Sequence, residues 1–180
     1  MSLDITFTLS DEDLEHFKKI LNESKKNLES MSAEAIIGNA KSVSESLDDN
    51  VPEFISSRLA NLDILVKMAE DSQWDLEQEE KEDIFCALAY FSNEQDMIAD
   101  DIPVLGLLDD AIMVELVSLD LQEDIEAYTE FCKFRESSSN PDPSKQDWLD
   151  VKRKELYGRM RTRRRSRRSG GTSGFKGIFR

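Results

Sequence analysis

The stretch DDIPVLGLLDDAIMVELVSLD, residues 100–120, decides the fold class of the chain. Pro103 pushes the residue before it away from helical geometry, and Gly106 weakens any helix that passes through it. A helix is therefore predicted over residues 107–121, after an irregular connection over 92–106. A helix with apolar residues on two sides is usually covered by neighbours. The two sides are Leu108, Ile112, Leu116 and Leu119, and Leu107, Val114, Val117 and Leu121.

Amphipathic spacing on both sides of this stretch predicts further helices. Residues 11–29 follow a capping pair, Ser10 and Asp13, and residues 33–47 carry a second stripe behind Ser32. A third helix follows Pro52, a fourth begins in the acidic run LEQEEKED at 76–83, and a last one covers about 121–136. The pattern predicts an all-α fold, a compact bundle of five to six helices with a disordered basic C-terminal tail.

The formal charge of −15 hides two opposite regions. Residues 152–180 hold twelve Lys or Arg residues and a single acid, Glu155, a charge of +11 that leaves −26 for residues 1–151. Such asymmetry is typical of a body with an interaction tail. We expect an acidic helical domain at 1–136, a linker at 137–147 around SSSNPDPS, and a basic tail at 148–180, partly helical and then disordered.

Cysteine content and hydropathy indicate a cytoplasmic protein. Cys86 and Cys132 each lie in an apolar helical pattern, which predicts two free thiols that pack in the core. The first ten residues lack the features of a signal peptide. No apolar run approaches the roughly 20 residues that span a bilayer, so no transmembrane segment is expected.

The segment YFSNEQDMIADDIPVLGLLDDAIMV, residues 90–114, resembles the signature of the YkvA-like family, a small helical bacterial domain of unknown function. Glu94 and Ala99 stand where that family commonly has prolines. The resemblance could extend over about 80–120, and it implies a helical fold without an established activity. The signature positions it implies, structural or binding, are Tyr90, Phe91, Asp96, Asp100, Pro103, Gly106, Asp109 and Asp110.

Two interpretations of the carboxylates Asp96, Asp100, Asp109 and Asp110 stay open. The first has them accept hydrogen bonds from backbone N–H groups in the connection and at the start of the helix that follows. The second gathers them around Mg²⁺ or Ca²⁺, since these cations prefer carboxylate oxygens. The sequence lacks an Asp-rich loop of recognised metal spacing, which favours the structural interpretation. We therefore expect no metal site.

The sequence nominates no catalytic residue and no cofactor, because it contains neither a nucleophile with an identified base nor a phosphate-binding glycine loop. We expect a non-catalytic interaction or regulatory module with an unknown protein partner. An alternative is that the tail binds RNA, DNA or an anionic membrane, or that it docks on its own acidic body. The candidate residues for polyanion binding are Arg161, Arg163, Arg164, Arg165, Arg167 and Arg168.

Overall fold

A computed structural model of the protein describes residues 8–45, 51–92, 107–137 and 145–169. Within these ranges the chain forms α-helices, one short 3₁₀ turn at Leu28–Ser30, and no strand. The seven helices are α1 Asp11–Asn27, α2 Ala33–Glu45, α3 Glu53–Glu70, α4 Gln78–Tyr90, α5 Leu108–Asp120, α6 Gln122–Ser137 and α7 Lys145–Ser169. The all-helical prediction is confirmed.

The expected number of helices, five to six, is too low for the described residues. The additional helix is α7, which continues to Ser169 through the arginine-rich segment that was expected to be disordered. Its inward face packs on other helices, which supplies the stabilisation that the sequence pattern alone did not reveal. An irregular connection was predicted over 92–106, and all of it except residue 92 lies outside the described residues, as do residues 170–180.

Local sequence signals explain where the first helices begin. The Ser10 hydroxyl accepts a hydrogen bond from the backbone N–H of Asp13, and the Ser10 N–H donates to the Asp13 carboxylate at 2.8 Å, as in a capping box. The Ser32 hydroxyl likewise accepts from the N–H of Ala35 at 3.2 Å. Pro52 is the residue immediately before α3, a position that needs no intrahelical N–H bond.

The core lies where α3 packs against α2, α4, α5 and α6, while α1 packs against α4. The largest fully buried side chains are Leu21, Ile36, Leu59, Leu62, Leu65, Met68, Trp74, Ile84, Leu88, Met113, Leu121 and Phe131. This hydrophobic cluster draws residues from every described helix, so the seven helices share one core. None of the described helices combines the length and apolar character required to cross a bilayer.

Of the two apolar sides predicted for α5, the one with Val114, Val117 and Leu121 is buried, whereas the other is only partly covered. Leu108 and Ile112 are only half-buried and Leu119 is 50% exposed, whereas Met113 and Val117 are buried. The contact of α5 with α3 selects a different face of the helix from the one with the most leucines. A helix apolar on two sides does not reveal by itself which side its neighbours cover.

Replacing Met113 by Ala is expected to lower the free energy of unfolding by about 2–5 kcal/mol, because the side chain is fully buried and its removal leaves a cavity. The matched control on the same helix is Leu119→Ala, which is expected to cost less than about 1 kcal/mol because half of that side chain is exposed. Urea denaturation measures both. Equal losses would contradict the observed orientation of α5.

Candidate functional site

Helix α7 lies antiparallel to α6. Lys152 near the start of α7 pairs with Glu130 late in α6 at 3.1 Å, and Arg167 near the end of α7 pairs with Glu123 in the first turn of α6 at 2.9 Å. The two helices pack along their length, so α7 is part of the bundle rather than a detached appendage.

The surface under the C-terminal half of α7 is rich in carboxylates. We call it the acidic face and define it by residues at the start of α4 and along α6: Glu77, Glu80, Asp83, Glu123, Asp124, Glu126 and Glu130. Each of these carboxylates lies within 4.0 Å of an Arg or Lys nitrogen of α7. The acidic body and the basic segment are thus joined within one molecule.

Arg164 is the centre of this contact. Its guanidinium is in direct contact with the Asp124 carboxylate and lies 3.8 Å from Glu80 and 4.0 Å from Asp83. Arg164 is 6% exposed, and the three carboxylates are 1% to 7% exposed. Removing charged groups from water costs several kcal/mol for each ion unless partners compensate, so these four groups constrain one another's positions.

The positions of these acids in their helices reduce the cost of burying them. Glu80 lies in the first turn of α4 and Asp124 in the first turn of α6, where unsatisfied backbone N–H groups favour negative charge. The carboxylates therefore have two sources of compensation, the helix ends and the guanidinium of α7. The second source is present only while α7 is docked.

Two further arginines extend the contact along the same side of α7. Arg161 binds Glu77 at 2.6 Å and Glu80 at 3.0 Å, and these bonds raise the pKa of its guanidinium. Arg167 donates to the carbonyl oxygens of Leu119 and Asp120, both at 2.7 Å, and so satisfies the C-terminal end of α5. Arg161, Arg164 and Arg167 thus bind groups at three helix ends, namely the starts of α4 and α6 and the end of α5.

Burial raises the pKa of the Asp124 carboxyl to about 6, while the charge of Arg164 and its hydrogen bond act in the opposite direction. The nearby carboxylates Glu80 and Asp83 reinforce the rise. Burial lowers the pKa of Arg164, but its carboxylate partners, Asp124 first, outweigh this effect and raise it overall. The cluster therefore keeps its arginine charged and can hold a proton on Asp124.

An aromatic cluster holds the other half of α7. Trp74, in the turn between α3 and α4, is fully buried and stacks on Tyr157 of α7, with ring centroids 4.8 Å apart and an angle of 18° between planes. The same indole contacts Tyr128 and Phe131 of α6 at 5.6 and 5.2 Å. One side chain thus joins the α3–α4 turn to both α6 and α7.

The turn itself is built to present this indole. The Asp71 carboxylate accepts hydrogen bonds from the backbone N–H groups of Gln73 and Trp74 at 3.0 and 3.3 Å. Asp75 adopts the left-handed conformation with φ 49°, which Asp tolerates better than most residues. The carboxylate of Asp75 then receives Arg153 of α7 at 2.9 Å.

A cleft of about 510 Å³ lies beside this turn, between α3 and α6. On its wall the Asp71 carboxylate accepts from the Tyr128 hydroxyl at 3.1 Å and from Arg135 at 2.7 Å. Burial acts to raise the pKa of Asp71, but the bonds from Arg135, Gln73 and Tyr128 hold it below its usual value. Asp71, Tyr128 and Arg135 on the cleft wall are thus joined by hydrogen bonds.

The six arginines proposed as polyanion ligands do not share one environment. Arg161, Arg164 and Arg167 face the acidic face, whereas Arg163 pairs with Glu126 at 3.1 Å in a pair that is about half exposed on each side. Arg165 is exposed. Arg168 belongs to α7, but its side chain lies outside the described residues.

The predicted signature residues are only partly visible. Tyr90 and Phe91 are buried at the end of α4, with their rings edge to face at 5.0 Å. Asp109 and Asp110 are buried in the first turn of α5, but the residue that caps this helix is Leu107, without a side-chain hydrogen bond. The remaining four, Asp96, Asp100, Pro103 and Gly106, lie outside the described residues.

Of the four carboxylates considered as metal ligands, Asp109 and Asp110 lie within the described residues. Within the parts of the chain that the structure describes, no group of three or more His, Cys, Asp or Glu side chains is arranged to hold a metal ion.

Cys86 and Cys132 are free thiols, as predicted. Burial raises the pKa of the Cys86 thiol to about 11.

Sequence reasoning missed Glu80, Asp83, Asp124 and Trp74. Glu80 and Asp83 belong to the acidic run at 76–83, which the sequence marks only as the beginning of a helix, and nothing in the sequence indicates their partner on α7. The apolar face of α7 was also missed, since Trp148 and Val151, its most conspicuous apolar residues, are 67% and 68% exposed. The buried set is Leu149, Leu156, Tyr157, Met160 and Arg164, which one helical face brings together.

Replacing Arg164 by Met is expected to lower the free energy of unfolding by about 3–5 kcal/mol at neutral pH, because it leaves the buried carboxylate of Asp124 without its cation. The neighbouring change Arg165→Met is the matched control and is expected to stay within about 0.5 kcal/mol, since that side chain is exposed. Guanidinium denaturation compares the two. Similar losses for both variants would show that Arg164 is not buried among acids.

The raised pKa of Asp124 predicts a pH dependence with a definite sign. Between the unfolded value of 3.8 and the folded value of about 6, the folded protein holds a proton that the unfolded chain has released. This group therefore lowers stability as pH rises through that window, by up to about 3 kcal/mol.

The variant Asp124→Asn removes the titration, so the stability of the wild type relative to this variant should fall between about pH 4 and about pH 7. The comparison cancels groups such as Asp71, whose lowered pKa acts in the opposite direction in both proteins. Urea unfolding at several pH values measures the difference. A flat difference would contradict the raised pKa.

Comparison with known proteins places one segment of the chain. The sequence model of a family described as a protein of unknown function (DUF1232) matches residues 84–116, which include the second half of α4 and the first two thirds of α5. No curated protein and no solved structure matches the chain. The chain is therefore similar to this family over its central helices, whereas Glu80, Asp124 and all of α7 lie outside the matched segment.

Proposed function

We propose that the protein is a helical, non-catalytic interaction or regulatory module in which α7 is the intramolecular ligand of the acidic face. The observation that carries this proposal is the burial of Arg164 among Glu80, Asp83 and Asp124. The carboxylates of the acidic face thus match the basic side of α7. We also propose that residues 90–114 are a YkvA-like signature and that the protein is cytoplasmic.

The distribution of charge supports an internal role for the basic segment. The arginines at 161, 164 and 167 are spaced by three residues and therefore lie on one side of the helix, which faces the carboxylates. A helix adapted mainly to an external polyanion would direct such residues towards solvent. Among the side chains of α7 that the structure describes, fewer cations lie on the outward side than on the side that faces the body.

The apolar contacts give the docked helix a defined position. Leu156 is fully buried, and Tyr157 stacks on Trp74, so α7 contributes to the same hydrophobic cluster as α3 and α6. Burial of an apolar side chain contributes roughly 1.5–3 kcal/mol, whereas buried ion pairs add mainly specificity. Apolar contacts thus hold α7 to the body, and the arginines select its register.

A second candidate function is polyanion binding by the outward side of α7. Arg165 and Lys154 are exposed, and the ion pair of Arg163 with Glu126 is open to solvent. Exposed pairs contribute about 0–1 kcal/mol, so phosphate groups can compete for Arg163. RNA, DNA and anionic membranes remain the expected ligands of this side.

Gel-shift and liposome assays with the full chain separate the two candidates. The wild type is expected to bind RNA or anionic vesicles weakly at physiological salt, and the variant Glu123→Gln with Glu126→Gln is expected to bind more tightly because it releases Arg167 and Arg163. Lys154→Ala with Arg165→Ala is the control for the outward side. Tight binding by the wild type that this control abolishes would favour polyanion binding instead.

A further inference from the structure

We propose that the acidic face also accepts α7 from a second copy of the chain, so that two molecules exchange their C-terminal helices and form a dimer. This inference rests on the proposed function, in which α7 is the ligand of the acidic face. It adds the identity of a partner, since α7 is the one sequence whose fit to this surface is visible in the structure.

The contacts of α7 do not depend on which molecule supplies it. The stack of Tyr157 on Trp74 and the burial of Arg164 against Asp124 join α7 to elements that precede it in the chain. Residues 138–144 are the only covalent connection between α6 and α7. Exchange of α7 therefore requires no break in any other described helix.

Exchange also preserves the burial of charge. If α7 left the body, Glu80, Asp83 and Asp124 would lose their cation, and Trp74 would lose its stacking partner. In a dimer with two-fold symmetry each copy fills the acidic face of the other, so both faces are closed and no further surface is left for growth. The exchanged state repeats the contacts of the closed monomer.

The balance between the two states is set by concentration. A short connection gives the helix of the same molecule an effective concentration of order millimolar, so the dilute wild type is expected to be a monomer. Weakening the contact within each molecule, while leaving the contact between molecules intact, shifts the balance towards exchange. Reversing charges on the helix of one variant and on the acidic face of another weakens the first contact and keeps the second.

The test uses two complementary full-chain variants. The first reverses the helix with Arg163→Glu and Arg167→Glu, and the second reverses the acidic face with Glu123→Arg and Glu126→Arg. Each places like charges opposite each other within its own chain, because Arg163 pairs with Glu126 and Arg167 with Glu123. When the two are mixed, exchange restores opposite charges at both docking sites.

Two controls accompany the mixture. A quadruple variant with all four changes carries matched charges within one chain and is expected to be a stable monomer. The second control mixes the helix-reversed variant with the quadruple variant. Both carry a reversed helix, so the acidic face of the first variant meets like charge whether or not the helices exchange. This mixture is therefore expected to form no dimer. The reversed helix loses the bonds of Arg167 to the carbonyls of Leu119 and Asp120 in every arrangement, so this cost cancels.

Sedimentation velocity at micromolar concentration, after a joint unfolding and refolding step, measures the outcome. The expected result is a dimer population in the complementary mixture at least about tenfold above that of either variant alone. Monomers in that mixture, with a stable quadruple variant, would overturn helix exchange and leave the proposed function intact. A quadruple variant no more stable than the single-sided variants would instead contradict the intramolecular pairing itself.

Circular dichroism first establishes that both reversed variants fold. If either variant does not fold, Arg167→Gln replaces the helix reversal and Glu123→Gln replaces the face reversal. Each removes one charge without reversing it, at side chains that are less completely buried than Arg164 and Asp124. A dimer in the mixture of these two milder variants would support exchange, and its absence would count against it.

Discussion

The burial of one guanidinium, that of Arg164, against the carboxylates of Glu80, Asp83 and Asp124 is the constraint on which the arrangement of helices depends. Charges at this depth are tolerated only when their partners stay in place. The start of α4, the start of α6 and the C-terminal half of α7 are therefore positioned together. Loss of any one of them leaves the others with uncompensated charge.

Helix ends explain why acids can gather at this place. The starts of α4 and α6 both favour negative charge, and their acids meet where α7 passes. Arg167 serves the opposite need at the end of α5, where carbonyl oxygens lack partners. Helix α7 thus satisfies helix ends of both kinds, while Trp74 and its aromatic neighbours supply the apolar contact that keeps it there.

Much of the fold was predictable because its signals are local. Ser10 with Asp13 and Ser32 marked the first two helices, and Pro103 with Gly106 marked the beginning of α5. The docking of α7 was not predictable in this way, since a helix with exposed Trp148 and Val151 lacks a simple apolar stripe. Arg164 was nominated as a ligand for external phosphates, because charge composition does not reveal which acids a basic residue meets after folding.

Amide hydrogen exchange along α7 tests the central claim most directly. If α7 is docked through Arg164 and Tyr157, its amides from about residue 154 to 167 should be protected to a degree comparable with those of α6, because both are released only when the shared contact opens. Amides of α7 that exchange at unprotected rates while α6 stays protected would contradict the account.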